Sequence, residues 1–222
     1  MVIGLKAENG CEIFNDYIKN IASGNYSHAE GESSKANGRA CHAEGTSEAS
    51  GNYTHSEGSS TASNQFSHAE GYQSKATEFA AHAEGASEAS GFVSHAEGDG
   101  THAVGSRAHA EGYMTYANGA NSHAEGIRTK ANGRNQHVQG VSNIPDNENK
   151  YLHIVGNGAE DGTRESNAHT LDWDGNAWYA GSIYANGTIE DASPETPKVR
   201  NTALVRTETR PTRNGEIYWC YK

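Results

Sequence analysis

Small and polar residues alternate along most of this chain with a short, regular period. Between residues 28 and 140, a four-residue motif with alanine second and glycine fourth recurs every 13 or 14 residues. A half-motif of the form x-Ala-x-Gly follows, its alanine seven or eight residues after the histidine that opens the motif. The motif reads His-Ala-Glu-Gly at His28, His42, His68, His82, His95, His109 and His123, with variants at His55 and His137.

A repeat of this length has no room for two helices. It is typical of one coil of a parallel β-solenoid, with two short strands and two tight turns. The glycines stand where a turn requires positive φ or a close approach of two backbones. We therefore predict an all-β chain with a solenoid of about nine coils, stacked roughly 4.8 Å apart into a rod of about 40 Å.

Strand alternation assigns the two faces of each coil. Ala29 and Ala36 point one way and fill a thin interior, whereas Lys35 points outward. The histidine and glutamate positions hardly vary, unlike the outward ones, which predicts a face packed against other copies of the chain. This face, called here the His/Glu ladder, comprises His28, Glu30, His42, Glu44, His55, Glu57, His68, Glu70, His82, Glu84, His95, Glu97, His109, Glu111, His123, Glu125, His137 and Gln139.

Larger apolar residues flank the repeat. From Ile13 to Ile21 they stand at helical spacing, which predicts a short amphipathic helix over 12–22 that caps the first coil or docks onto a larger particle. After Gly140 the repeat is expected to stop, and the apolar run 151–155 and the Asp174-Gly175 hairpin signal predict a small β domain. Three regions follow: a cap or attachment segment at 1–26, the repeats at 27–141, and a C-terminal β domain at 142–222.

The C-terminal region carries all three tryptophans of the chain. In so small a domain they are expected to form its core, and a platform that stacks against sugars is the alternative. The candidate ligand-binding aromatics are Trp173, Trp178, Tyr179 and Trp219.

Composition excludes several classes of function. The net charge of -11 argues against nucleic acid as a partner, because phosphate binding needs a surplus of lysine and arginine. No apolar run approaches a membrane span, and the first ten residues lack the apolar stretch of a signal peptide. The three cysteines include no CxxC pair of the kind that binds zinc. We therefore expect neither nucleic-acid binding nor membrane insertion.

The His/Glu ladder repeats nine times, whereas catalysis needs one distinctive constellation. No HExxH, GxSxG or Walker A motif is present. We therefore predict no enzyme activity and no cofactor, and also no metal, because each glutamate is expected to accept a hydrogen bond from a neighbouring histidine. The same carboxylates are expected to raise the pKa of several histidines. The alternative is neutral histidines with little pH dependence.

The half-motifs Ser-x-Ala-x-Gly and x-Ala-x-Gly resemble the YadA-like head repeat of trimeric adhesins. That resemblance implies a left-handed β-roll, with three chains packed around one axis. The family usually places valine and isoleucine on either side of the alanine, facing the trimer centre, and His28 and Glu30 take those places here. The resemblance therefore implies a homotrimer with rings of histidine and glutamate around the axis.

Other segments resemble repeat proteins of phages and prophages of Gram-positive bacteria. They are Asn15–Tyr17 leading to Ala22–Gly31, Arg164–Ile183, and the closing Asn214–Lys222. The resemblance implies a trimeric tail fibre or appendage of a virion, assembled in the bacterial cytoplasm and acting outside the cell. Its partners would be further copies of itself, other virion structural proteins, and a host cell-surface glycan or protein. The alternatives are a head fibre or capsid decoration protein, or a bacterial trimeric surface adhesin.

Overall fold

The computed structural model describes residues 5–6, 12–14, 20–182, 202–204 and 217–219. All elements in these ranges are β-strands, which confirms the all-β prediction, and they include no helix long and apolar enough to cross a membrane. Backbone contacts divide the chain into two units, Met1–Gly181 and Ser182–Lys222. In the second unit, Thr202–Leu204 and Ile217–Trp219 pair in parallel.

The described residues of the first unit form nineteen strands in one continuous sheet. In chain order they are β1 (Leu5–Lys6), β2 (Glu12–Phe14), β3 (Ile21–Ala22), β4 (His28–Gly31), β5 (Lys35–Ala36), β6 (His42–Gly45), β7 (Glu48–Ala49), β8 (His55–Ala62), β9 (His68–Ala76), β10 (His82–Ala89), β11 (His95–Ala103), β12 (His109–Tyr113), β13 (Tyr116–Ala117), β14 (His123–Ile127), β15 (Lys130–Ala131), β16 (His137–Val141), β17 (Tyr151–Asn157), β18 (Asn167–Asp172) and β19 (Ala177–Tyr179).

Successive coils stack in parallel and in register. From β4 to β14, histidine lies over histidine, glutamate over glutamate and glycine over glycine. Where the motif is strict, alanine also lies over alanine, and Ser56 takes that place in β8. The result is a β-solenoid of about 10 turns, so the predicted β-solenoid is confirmed, with about one turn more than the nine coils expected.

Two columns of alanine form the core of the solenoid. The alanines at both inner positions, such as Ala83 and Ala89, are fully buried. Rows of hydroxyl side chains close the two corners between the columns. Ser60 Oγ donates to Glu57 O at 2.7 Å, and Ser122 Oγ donates to Gly119 O at 2.7 Å. Small side chains suffice here because the coil is thin and its turn carbonyls need donors inside it.

The predicted helix over 12–22 is wrong where the structure describes that segment. Glu12–Phe14 pairs in parallel with His28–Glu30, and Ile21–Ala22 pairs with Lys35–Ala36. Both strands supply backbone partners to the first motif coil, whose edge a helix would leave unpaired. Residues 15–19 lie outside the described ranges.

The sheet continues beyond the last predicted motif. Strand β17 pairs in parallel with β16, and His153 lies opposite His137. Strand β18 then pairs with β17 in the antiparallel sense, and β19 returns along β18. The predicted hairpin is confirmed at this return, where Gly175 has a φ of +85°. The expectation that the repeat stops after Gly140 is therefore wrong by one strand.

Candidate functional site

The histidines of the His/Glu ladder form one continuous stack. From His42 to His137, neighbouring ring centroids lie 4.6 to 4.9 Å apart with interplanar angles of 2° to 15°. This spacing is the distance between paired strands, so the register itself imposes the stack. The first ring, His28, instead meets His42 edge-on at 5.0 Å.

The row of rings is longer than the motif indicates, and its last members are tilted against their neighbours by 41° to 58°. His153 on β17 lies 5.2 Å from His137, His169 on β18 lies 5.6 Å from His153, and Tyr179 on β19 lies 4.5 Å from His169. Sequence reasoning missed these three members of the row. A signal was present at the first of them, because His153-Ile154-Val155-Gly156 keeps the histidine and glycine of the motif.

The glutamates run beside the imidazoles along the same face. His68 Nε2 lies 3.6 Å from Glu70 Oε2, and His123 Nε2 lies 3.4 Å from Glu111 Oε1. The side chains in these two pairs are 32% to 39% exposed. The structure thus brings the predicted ladder residues together on one half-exposed face of a single chain.

The expected hydrogen bonds between histidines and glutamates are mostly not formed. One bond does form, between His137 Nε2 and Glu125 Oε1 at 3.2 Å. Along the rest of the described ladder, seven Nε2 atoms are buried and have no hydrogen-bond partner. They belong to His42, His55, His68, His82, His95, His109 and His123. Each of these nitrogens lies 3.4 to 4.0 Å from a glutamate oxygen, so a small side-chain rotation or a group from outside the chain would satisfy it.

The ladder lowers the pKa of several histidines, the reverse of the shift expected from sequence. Burial is the main cause, and the positive charge of neighbouring histidines adds to it. Together they outweigh the nearby carboxylates at His42, His68, His82, His109 and His153. For Glu125, burial acts to raise the pKa, but hydrogen bonds with His137 and Glu111 lower it overall. The fold therefore favours the neutral form of these five imidazoles.

We expect stability to fall in acid and to stay level in alkali. A lowered folded-state pKa means that the unfolded chain binds more protons as the pH falls below the ordinary histidine value of 6.5. The contribution of these histidines to the free energy of unfolding is therefore fully present above pH 6.5. It is lost as the pH falls through that value toward the lower pKa of the folded state. Around His82, the groups that set this balance are His68, His95, Glu70 and Glu84.

A series of thermal melts from about pH 4 to pH 10 measures this dependence. The acid limb should become shallower when His68, His82 and His109 are replaced by glutamine, which does not titrate. A melting temperature that declines as the pH rises from neutral to alkaline values would contradict the lowered pKa values and support the charged ladder.

The candidate ligand-binding aromatics divide between the two units. Trp173, Trp178 and Tyr179 are 47%, 55% and 47% exposed, so the prediction that the tryptophans form a core is wrong for Trp173 and Trp178. Trp173 Nε1 donates to Asn149 O at 2.9 Å and thereby holds the loop before β17. Trp178 lines an open cleft of about 780 Å³ between that loop and the β18–β19 hairpin. Trp219 lies on a strand of the second unit.

A second aromatic row lies at the turns that precede the ladder strands. The rings of Tyr53, Phe66, Phe79 and Phe92 follow one another at 5.2 to 5.5 Å. Tyr53 and Phe66 have positive φ values of 59° and 60°, which is uncommon for bulky residues. Sequence reasoning missed this apolar row, which lies along one edge of the His/Glu ladder.

No protein-family model matches the chain, and no curated protein matches it in sequence. Its function is therefore inferred from its motifs and from the geometry of the ladder.

Proposed function

We propose that this chain is a non-enzymatic structural protein of a phage or phage-like fibre, and that three copies pack their ladders around a common axis. One observation carries the proposal: nine in-register coils present the same half-exposed row of imidazoles, and eight of them add a carboxylate at the same place. A face that only met water would tolerate variation, as the outward positions Lys35, Glu48 and Thr61 do. A face that meets copies of itself must repeat the same chemistry in every coil.

The unsatisfied atoms of the ladder support packing between copies. A buried imidazole nitrogen without a hydrogen bond costs free energy, and a carboxylate from a neighbouring copy supplies the missing partner. The aromatic row from Tyr53 to Phe92 adds apolar surface along the edge of the same face. Three left-handed rolls around one axis, the arrangement of YadA-like head repeats, would satisfy both sets of groups.

In this proposal the solenoid acts as a spacer. Its uniform coils carry little information for recognising a receptor, so the host-binding surface belongs to the C-terminal part. The cleft beside Trp178 offers one exposed aromatic ring together with polar groups such as Asn147 and Asn176. That chemistry suits a cell-surface glycan or a protein loop of the host. The other end of the rod would attach to the virion.

Light scattering of the purified chain tests the trimer. We expect a particle of three times the chain mass of 23.6 kDa at micromolar concentration. Glu84→Trp should disrupt it, because three indoles cannot share the axis. Glu88→Trp is the matched control, since Glu88 lies in the same coil at the outward half-motif position. A monomeric wild-type chain, or equal effects of the two substitutions, would contradict the proposed packing.

Electron microscopy with antibodies against the chain tests the location. We expect gold label on a tail appendage of particles produced by the source bacterium. Label on the capsid alone would instead favour a head fibre, and label confined to the cell surface would favour an adhesin.

A further inference from the structure

An acidic groove runs along the middle of the His/Glu ladder. It has a volume of about 350 Å³, and four glutamates line it together with backbone glycines. The glutamates are Glu84, Glu97, Glu111 and Glu125. No lysine or arginine lines this groove in the described part of the chain. Like charges at the spacing of successive coils repel, so the groove favours a bound cation.

The imidazoles beside the groove supply a second, independent observation. The Nε2 atoms of His95, His109 and His123 are buried and have no hydrogen-bond partner. His123 Nε2 lies 3.4 Å from Glu111 Oε1, and His109 Nε2 lies 4.0 Å from Glu97 Oε1. When the ring carries its proton on Nδ1, an Nε2 atom in this position offers its lone pair to a metal ion.

Three sets of donors converge around the groove. They are Glu111–His123–Glu125, His95–Glu97–His109 and His82–Glu84–His95, and within each set one ligand atom per residue lies within 4.8 Å of the others. Zinc holds its nitrogen and oxygen donors at about 2.0–2.2 Å. Closing a set around an ion therefore takes rotamer shifts of about an ångström, which half-exposed side chains can make.

We propose that this groove binds divalent transition-metal ions of the zinc class, and that Glu111, His123 and Glu125 form its principal site. This set has one imidazole and two carboxylates, so both flanking carboxylates can turn toward a single nitrogen. The two sets that contain two histidines are less well arranged to bind one ion. The rings of His95 and His109 are nearly parallel, at 4°, and hold their nitrogens in separate planes, so one ring must rotate before both bind one ion.

The mixture of donors selects the class of ion. Magnesium and calcium prefer sites made only of oxygen ligands, whereas imidazole suits zinc, nickel and copper. Three protein ligands leave the fourth tetrahedral position for water or for a donor from another copy. The site is built from groups of one chain, so the inference goes beyond the proposed fibre function and does not depend on the trimer.

Isothermal titration of the full chain with Zn²⁺, and with Mg²⁺ in parallel, tests the inference. We expect saturable zinc binding that weakens at least about tenfold in the double variant Glu111→Gln/Glu125→Gln. Glutamine fits this row, because Gln139 occupies the equivalent place in the ninth motif coil. Glu88→Gln is the matched control, since Glu88 Oε2 also lies near an imidazole, 3.7 Å from His102 Nδ1, but belongs to no donor set found among the described residues.

Imidazole nitrogen spectra of the unmodified protein give a readout that does not depend on any variant. Zinc should shift the Nε2 resonance of His123 and leave that of His102 in place. Zinc affinity unchanged in the double variant, magnesium bound as tightly as zinc, or an unshifted His123 resonance would each overturn the inference. Light scattering on the same samples distinguishes failure of this inference from failure of the trimer proposal. A monomer that binds zinc would refute only the trimer, and a trimer that binds no zinc would refute only the metal site.

Discussion

Replacing Gly98 with alanine is expected to destabilise the solenoid by about 3 kcal/mol or more. Gly98 has a φ of +112°, a region that L side chains rarely adopt. A Cβ atom at this position would overlap the carbonyl oxygen of Gly112 in the next coil. Neither problem can relax separately, because the next coil stacks in register and repeats the same glycine. Backbone strain and steric overlap therefore add.

Gly181→Ala is the matched control. A Cβ atom there would meet nothing within 4 Å, and the residue does not have a left-handed φ. Thermal melts of the two full-length variants give the comparison, with a fall of roughly 10 °C expected for Gly98→Ala and almost none for Gly181→Ala. Equal melting temperatures would mean that the glycine column does not hold adjacent coils in close contact.

Most of the fold of the solenoid can be predicted from the period of the sequence repeat. Because side chains alternate strictly along a strand, the placement of alanine between His82 and Glu84 is enough to assign inside and outside. The glycines then locate the turns, since they stand where φ is positive or two backbones meet. The same alternation places the His/Glu ladder on one face from the sequence alone.

The segments that flank the motif coils were harder to predict, because their patterns of apolar and polar residues are short. Ile13 and Ile21 fit a helical spacing, yet the strands that contain them pair with the first motif coil. A helical spacing of a few residues is weak evidence for a helix, because strand formation here provides hydrogen bonds to backbone groups at the sheet edge that would otherwise be unpaired. His153 escaped detection for a related reason, since Ile154 and Val155 replace the alanine and glutamate of the motif.

The electrostatics of the ladder depend on distances that a sequence does not contain. Sequence reasoning paired each histidine with a glutamate, which by itself would raise the histidine pKa. Stacking brings like charges close together as well as opposite ones: the ring centroids of His82 and His95 lie 4.6 Å apart, while His82 Nε2 lies 3.9 Å from Glu84 Oε2. With burial added, the sum favours the neutral form of His82.

Replacing Ala83 with leucine should overpack the solenoid and cost about 1–3 kcal/mol. Ala83 is fully buried, and its strand neighbours in the column are Ala69 and Ala96. Three additional carbon atoms have no space between two alanine columns that already fill the coil. The strain must pass into the backbone, because no large side chain lies nearby that could change its rotamer to make room.

Ala40→Leu provides the control for this substitution. Ala40 is exposed and has a φ of 50°, and the equivalent turn positions of other coils carry Tyr26, Tyr53 and Phe66. A leucine there adds the same atoms where the fold already accepts larger side chains. Denaturant titration of both variants should lower the midpoint for Ala83→Leu alone. An unchanged midpoint for Ala83→Leu would contradict the assignment of tightly packed, inward-facing alanines, and the His/Glu ladder depends on that assignment of faces.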